Sequence, residues 1–176
     1  AFPPSGEALP ELIPAQEGGR VTFGGQTHAA VGNVGMVITT PEKAREMSRD
    51  PSIKVTLKGF GQHRVEIEYM PEAPIGAAQK ALDAAGVKLS DIAAIKSHNP
   101  FAVNDIAFAR ATGADVMAMN NYGCSLIWGH PQGPTGLRAM VELIEELAMR
   151  GGGLGLFQGC AAGDSSMAVV IEVSGR

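Results

Sequence analysis

Apolar positions along the chain fall into two spacings, which alternate from one segment to the next. Short runs of β-branched and apolar residues, bounded by Gly, Pro or Asp, predict strands. By this pattern we expect strands at VGMVITT (34–40), SIKVTLKGFG (52–61), DIAAIKSH (91–98), the shorter DVMAMN (115–120), GLGLFQG (153–159) and MAVVIEV (167–173). The last two are expected to be joined by a loop that contains Cys160.

Segments with apolar residues three or four positions apart lie between these runs and predict helices. The longest follows GHPQGPTG, places Leu137, Val141, Ile144 and Ala148 on one face, and ends before Gly151. Shorter helices are predicted in PEKAREMSRD (41–50), APIGAAQKALDAAG (73–86) and FAVNDIAFARATG (101–113). Strands that alternate with helices predict the α/β class, with a mostly parallel sheet and helices on both faces.

The composition, net charge and cysteine content of the chain disfavour several classes of function. The 176 residues are 45% hydrophobic with a net charge of −4 and no strongly basic region, so a nucleic-acid partner is not expected. No apolar run reaches the roughly 18 residues of a membrane helix, so no membrane partner is expected either. Cys124 and Cys160 are the two cysteines and lie far apart, which disfavours a disulfide framework or a structural zinc. A reducing, cytoplasmic location is favoured, and an organelle matrix stays open.

His130 stands in GHPQGPTG (129–136), a glycine- and proline-rich loop directly before the longest predicted helix. A histidine held beside a helix N-terminus is a candidate catalytic group, because the helix dipole disfavours its charged form. A loop histidine that only hydrogen-bonds backbone is the alternative interpretation.

Two further loops carry reactive side chains. His98 lies in SHNPFA, just past a predicted strand, and Cys160 lies in QGCAAGDSS. Because sites in α/β sheets form at strand ends, we expect His98, His130 and Cys160 to share one site suited to proton transfer and thioester chemistry. Cys124 could approach the same site or pack in the core, and Cys160 could equally be a small buried hydrophobe. The spacing of the three residues disfavours a metal site.

Four segments together resemble the thiolase family. NNYGCSLIWGHPQGPTG (120–136) is similar to the signature Asn-x-x-Gly-Gly-x-x-x-x-Gly-His-Pro-x-Gly-x-x-Gly, and CAAGDSSMAVVIE (160–172) to the Cys-x-Gly-Gly-Gly-x-Gly ending. HNPFA (98–102) falls where thiolases carry Asn-Glu-Ala-Phe-Ala, and residues 19–44 align with a further family stretch. The resemblance implies a thiolase-like layered fold, half of an αβαβα core. Its sheet would be five-stranded, mixed and mostly parallel, and flanked by helices. It also divides the chain into an arm over residues 1–20, similar to the end of the family's loop domain, and a C-terminal thiolase domain over residues 21–176.

The resemblance also implies roles for individual residues. His130 would be the base that activates a nucleophilic cysteine and would contribute to an oxyanion hole, and Cys160 would be the second acid/base, with a pKa near the working pH. His98 takes the place of the family's asparagine, as in sterol-carrier-type thiolases. The backbone N–H of Ala162 would complete an oxyanion hole. Thr27 and Phe101 would contact substrate or coenzyme A. No cofactor is implied, since coenzyme A is a substrate, and no metal.

The resemblance begins in the middle of a thiolase, and neither Cys124 nor Cys160 aligns with the family's nucleophile. It therefore implies an acetyl-CoA C-acyltransferase type of enzyme in lipid metabolism that needs a partner N-terminal half, within a homo- or hetero-oligomer. Its substrates would be acyl-CoA thioesters, undergoing 3-ketoacyl-CoA thiolysis or Claisen condensation. A non-catalytic thiolase-like subunit that binds acyl-CoA or supports a partner is the alternative. A ketoacyl-synthase interpretation is disfavoured by the terminal cysteine.

Overall fold

A computed structural model describes residues 5–175, so the first four residues of the predicted arm lie outside the described residues. The helices are α1 Pro41–Met47, α2 Ala73–Ala85, α3 Ala102–Thr112, α4 Ser125–Trp128 and α5 Thr135–Met149. The strands are β1 Lys54–Arg64, β2 Ile92–His98, β3 Gly153–Ala161 and β4 Ser165–Ser174. The four predicted helices are confirmed, and α2 ends at Gly86 in the left-handed conformation (φ 68°) that glycine adopts at little cost.

The strands form one mixed sheet in the order β1-β4-β3-β2. β2 pairs with β3 in parallel, whereas β4 pairs with both β1 and β3 in antiparallel fashion. The α/β class and the mixed sheet are confirmed. The expectation of mostly parallel pairing is wrong, because a tight turn joins β3 to β4 and forces those two strands to run in opposite directions.

Helices cover both faces of the sheet, as predicted. On one face, α2 and α3 pack on Leu156, Ala168 and Val170. α2 approaches β1 closely, because a Cβ atom at Gly59 or Gly61 would lie within 2.7 Å of the α2 backbone. On the other face, α5 buries Leu143 and Leu147 against β3 and β4. The other buried members of that core are Ala94, Ala139, Phe157, Ile171 and Val173.

Two of the six predicted strands, VGMVITT and DVMAMN, are absent from the part of the chain that the structure describes. In DVMAMN, the Asp115 carboxylate accepts a hydrogen bond from the Met117 amide and turns Val116–Ala118 into a 3-10 helix. This stretch joins β2 through the bond from the Asn120 amide to the Ile95 carbonyl, so a five-stranded sheet is wrong and four strands are present.

VGMVITT forms no strand either. Residues 31–40 have no regular structure, and Val31, Val37 and Ile38 are exposed. A strand needs a neighbour for its backbone groups, and none of the described residues provides one at this segment. The sequence pattern is that of a strand, but its partner is missing from the fold.

Candidate active site

His98 is the last residue of β2, and the residue is 8% exposed. Its Nδ1 lies 2.9 Å from the Oγ of Ser125. The ring finds room beside the sheet because its neighbour on β3 is Gly159, where a Cβ atom would stand 2.9 Å from the Cβ of His98. Strand pairing therefore fixes the backbone of His98, and a serine fixes its ring.

Behind His98 lies a buried group of polar side chains centred on Asp105. The Oγ of Ser97 donates to Asp105 Oδ1 at 2.6 Å, and the side-chain amides of Asn99 and Asn120 donate to Asp105 Oδ2. Asn99 in turn accepts the Ser125 amide at 3.1 Å. Burial raises the pKa of Asp105, and the hydrogen bonds from Ser97, Asn99 and Asn120 oppose that rise. The end of β2 is thus tied to α3 by hydrogen bonds to the Asp105 carboxyl group, and to the start of α4 by the bond from the Ser125 amide to Asn99.

His130 lies in the loop between α4 and α5, and its Nδ1 is 2.7 Å from the Oγ1 of Thr135, the first residue of α5. Gly129 precedes it with φ 83°, a conformation that L side chains rarely adopt, and a Cβ atom there would meet Ala30 at 2.6 Å. The His130 amide donates to the His28 carbonyl at 2.8 Å. The glycine, the backbone bond and the threonine together hold the imidazole beside the N-terminus of α5.

The two imidazole rings are neighbours, with centroids 4.3 Å apart. Burial lowers the pKa of His98 to about 4, and the nearby His130 and Arg138 add to the effect. Burial also lowers the pKa of His130, again with a contribution from Arg138. Both rings are therefore neutral near pH 7, which leaves each with one donor and one acceptor nitrogen.

Cys160 lies inside β3, whereas the sequence predicted a loop, because the pairing of β3 with β4 continues to Ala161 and the turn begins only at residue 162. Its side chain is 7% exposed, and its Sγ accepts a hydrogen bond of 3.4 Å from the Asn104 side chain. Burial raises the pKa of the Cys160 thiol to about 11, so the expected pKa near the working pH is not found. At neutral pH Cys160 is a thiol that can give a proton.

His98, His130 and Cys160 line one cavity of about 740 Å³, as the shared-site hypothesis predicts. Its wall is completed mainly by apolar side chains and backbone from β3, β4 and α5, among them Met140, Phe157, Met167 and Val169. A pocket with a few polar groups on an apolar wall is the usual form of a small-molecule site.

The other residues predicted for the site differ in their placement. Phe101 and Ala162 line the cavity. Thr27 does not, and its hydroxyl donates to the Ser125 carbonyl at 2.5 Å while its amide donates to the Pro100 carbonyl at 2.7 Å. Thr27 thus joins the loop that follows β2 to the first residue of α4. Cys124 is partly exposed before α4 and is not among the cavity residues.

Sequence reasoning missed the residues that hold the two histidines. Thr135 could have been found, since it is a hydroxyl residue at the predicted helix start, five positions after His130. Asn99, directly after His98, carried a weaker signal. Ser125 is 27 positions from His98, and no local pattern connects them.

Within residues 5–175, no three His, Cys, Asp or Glu side chains are grouped so that they could hold a metal ion. None of the helices described is long and apolar enough to cross a membrane.

Comparison with known proteins agrees with this architecture. Residues 52–173 match the family model described as the thiolase C-terminal domain. The chain is 35% identical over 169 residues to an acetyl-CoA acetyltransferase of Syntrophomonas wolfei, covering 94% of this chain and 42% of the relative. It is 32% identical to a 3-ketoacyl-CoA thiolase of Aliivibrio fischeri, covering 88% of this chain and 39% of that protein.

Solved structures give the same result. The fold superposes on the acetyl-CoA acetyltransferase of Bacillus anthracis with a TM-score of 0.82 at 28% identity, over 95% of this chain and 42% of that one. It superposes on human mitochondrial 3-ketoacyl-CoA thiolase in complex with CoA with a TM-score of 0.81 at 25% identity, over 96% of this chain and 42% of that one. The chain thus spans about two fifths of the length of these relatives. With the family model matched over most of its length, the chain belongs to the thiolase family through its C-terminal domain.

Proposed function

We propose that the assembled protein makes or breaks a carbon–carbon bond between acyl groups carried as CoA thioesters. The observation that carries this proposal is the meeting of His98, His130 and Cys160 at one apolar cavity. Two neutral imidazoles and a thiol supply the donors and acceptors that acyl transfer and proton transfer to carbon require. The relatives named above carry the corresponding activity in their names.

His130 serves as the base. In the tautomer whose Nδ1–H donates to Thr135, the ring of His130 keeps a lone pair on Nε2, and that nitrogen can take the proton of an attacking thiol. Because the Thr135 hydroxyl proton then has no acceptor among the described contacts, this tautomer costs about 1–3 kcal/mol relative to the one with the ring proton on Nε2. The thiolate then attacks the 3-keto carbon of the substrate. His130 is held by Gly129 and by the Thr135 hydroxyl, which keeps the acceptor aimed at one place.

Cys160 serves as the second acid/base. When the bond between C2 and C3 of a 3-ketoacyl-CoA breaks, its electron pair is left as an enolate of the departing acyl-CoA. The protonated Sγ of Cys160 gives its proton to that carbon and becomes a thiolate. Because burial raises the pKa of Cys160 to about 11, the protonated form required for thiolysis dominates at neutral pH. Condensation requires the reverse transfer.

The remaining polar groups stabilise negative charge on oxygen. His98 contributes an N–H from the cavity wall, and the Ala162 amide, on the turn between β3 and β4, serves the acyl-enzyme oxyanion. Phe101 contacts substrate from the start of α3. Thr27 acts on coenzyme A through the loop that its hydroxyl holds. Coenzyme A takes part as a substrate, and the reaction calls on no other cofactor.

The nucleophilic cysteine comes from a second, N-terminal half, carried on the same polypeptide or on another one. Two observations support this: the chain spans about two fifths of the length of its relatives, and residues 31–40 expose apolar side chains in a segment that pairs with no strand among the described residues. The segment begins beside the site, where a Cβ atom at Gly32 would stand 3.3 Å from Pro131. We expect it to add a strand to the sheet of that second half, within a dimer or higher oligomer.

Thiolysis of a 3-ketoacyl-CoA by the complete protein, followed by chromatography of the acyl-CoA products, tests the activity. We expect Cys160→Ala to abolish turnover and Cys124→Ala to leave it near the wild-type rate. Turnover unaffected by Cys160→Ala would overturn the assigned role. Binding of acyl-CoA without turnover in the wild type would favour the non-catalytic subunit.

Native mass spectrometry of the active material tests whether a second half is present. We expect this chain's residues to occur in a species far larger than 18.2 kDa, because the nucleophile has to be supplied from outside residues 1–176. A lone 18.2 kDa monomer with full thiolysis activity would contradict the proposal and would make Cys124 the candidate nucleophile.

A further inference from the structure

Ser125 is the first residue of α4 and is 1% exposed. Its Oγ lies 2.9 Å from Nδ1 of His98. Ser125 itself is not among the residues that line the cavity, so it does not reach substrate directly. Any effect it has on chemistry passes through His98.

The backbone of Ser125 is fixed on both sides. Its N–H donates to the Asn99 side chain at 3.1 Å, and its carbonyl accepts from the Thr27 hydroxyl and from the Gly129 amide. Asn99 is anchored in turn on Asp105. These contacts come from the segment before β1, the loop after β2 and the loop before His130. The hydroxyl therefore has a defined position relative to the His98 ring.

The number of protons available for hydrogen bonding decides whether the Ser125 hydroxyl or Nδ1 of His98 is the donor. A buried serine hydroxyl has one proton to give, and leaving it without an acceptor costs about 1–3 kcal/mol. The described contacts give the Ser125 hydroxyl one partner, Nδ1 of His98. If the ring donated from Nδ1, the hydroxyl proton would have no acceptor. The arrangement that pairs the hydroxyl proton has the hydroxyl donating to Nδ1, which puts the ring proton on Nε2.

We propose that Ser125 is a positioning residue that holds His98 in its Nε2–H tautomer, so that the ring presents a fixed N–H donor to the cavity. A donor aimed in advance at the place where negative charge develops on a substrate oxygen stabilises that charge without reorganisation. The catalytic meaning of this donor rests on the proposed function. The tautomer itself does not, since it follows from contacts within the chain.

The tautomer can be observed directly in the complete protein labelled with ¹⁵N-histidine. Solid-state NMR distinguishes a protonated ring nitrogen from an unprotonated one, and the chain has four histidines, which single His→Asn variants assign. At pH 7 we expect His98 to be protonated on Nε2 and to accept at Nδ1. A proton on Nδ1 in the wild type would overturn the proposal, whatever any variant does.

Ser125→Ala removes the donor, and Ser166→Ala is its matched control. Ser166 is also buried, and its hydroxyl donates to the Ala73 carbonyl, away from His98. We expect Ser125→Ala to shift the Nδ1 resonance of His98 and to populate the second tautomer, and Ser166→Ala to leave the His98 signals unchanged. Identical His98 signals in Ser125→Ala and wild type would sink the proposal.

Kinetics separate this proposal from the proposed function. With a 3-ketoacyl-CoA, we expect Ser125→Ala to lower kcat about tenfold with little change in KM, because the donor loses its aim while the pocket stays intact. Wild-type protein that shows the tautomer but no thiolysis would defeat the function and leave the positioning role standing. Thiolysis by the wild type with an unchanged kcat in Ser125→Ala would defeat the positioning role and leave the proposed function standing.

Discussion

The two cavity histidines are held in the same manner but in different surroundings. Each ring has Nδ1 against a buried hydroxyl, Ser125 for His98 and Thr135 for His130. His98 is buried at the end of β2, next to the polar side chains that surround Asp105. His130 is partly exposed in the loop before α5. Burial lowers the pKa of both, to about 4 for His98.

The difference teaches how one kind of side chain can serve two purposes. A ring buried against a fixed polar group cannot easily accept charge, so His98 is suited to remain neutral and to donate a hydrogen bond. A ring at the edge of the cavity can exchange a proton with a thiol and let solvent screen the resulting charge. Each of the following predictions tests this division of roles.

Loss of His130 should have the largest effect. His130→Ala removes the base that generates the nucleophile, and we expect kcat/KM for thiolysis to fall about 10³-fold. His63→Ala is the control, since His63 lies on β1 and packs over Gly76 outside the cavity. A fall of less than tenfold in His130→Ala would remove His130 from the role of base.

Stability should depend on pH through His98. A histidine whose pKa falls from 6.5 in the unfolded chain to about 4 in the folded one favours unfolding as the pH drops, because the unfolded state binds the proton first. The stability present above pH 6.5 is lost between pH 6.5 and 4, by up to about 3 kcal/mol.

His98→Asn lacks this titration, so the difference in unfolding free energy between variant and wild type should change by about 2 kcal/mol between pH 7 and 4.5. Urea unfolding at both values measures it. Asp105 and the other carboxyl groups titrate in both proteins and cancel in the difference. Parallel pH dependences in the two proteins would contradict the buried, neutral state of His98.

The donor role of His98 predicts a smaller kinetic effect than the base role of His130. We expect His98→Ala to lower kcat about 10²-fold, the usual order for loss of one oxyanion donor. His98→Asn keeps an N–H donor in place and should retain kcat within about tenfold of wild type. Equal losses in His98→Ala and His98→Asn would show that a donor at this position is not what matters.

The sequence predicted those elements whose partners are close at hand. α2 and α5 carry their apolar spacing and their end signals within themselves, and β3 and β4 bury apolar residues of the runs that predicted them. VGMVITT has an equally good strand pattern and forms no strand. The pattern of apolar residues shows that a segment can form a strand. Whether the strand forms depends on a neighbouring strand to pair with, which the local sequence does not contain.

The site shows the same limit. His98, His130 and Cys160 could be predicted, because each is a reactive residue in a distinctive motif, and they do meet. The protonation of Cys160 could not, since the rise of its pKa to about 11 comes from burial within the fold. The contact between His98 and Ser125 could not be predicted either, because the two residues are 27 positions apart and the fold alone brings them together.

The smallest expected effect concerns Thr135, the hydroxyl on the His130 side of the comparison. Thr135→Val removes the Nδ1 partner while keeping the shape of the side chain, so the ring loses an orienting bond but remains in its loop. We expect kcat to fall about tenfold with KM nearly unchanged, since substrate binding does not need that bond. Thr135→Ser keeps the hydroxyl and should stay near wild type.

The pH profile of kcat distinguishes the two histidines as well. Because His130 must change its charge during each turnover whereas His98 stays neutral, Thr135→Val should alter the acidic limb of the kcat–pH profile, and Ser125→Ala should not. Matching profiles for Thr135→Val and Ser125→Ala would mean that the two histidines do not divide the work as proposed.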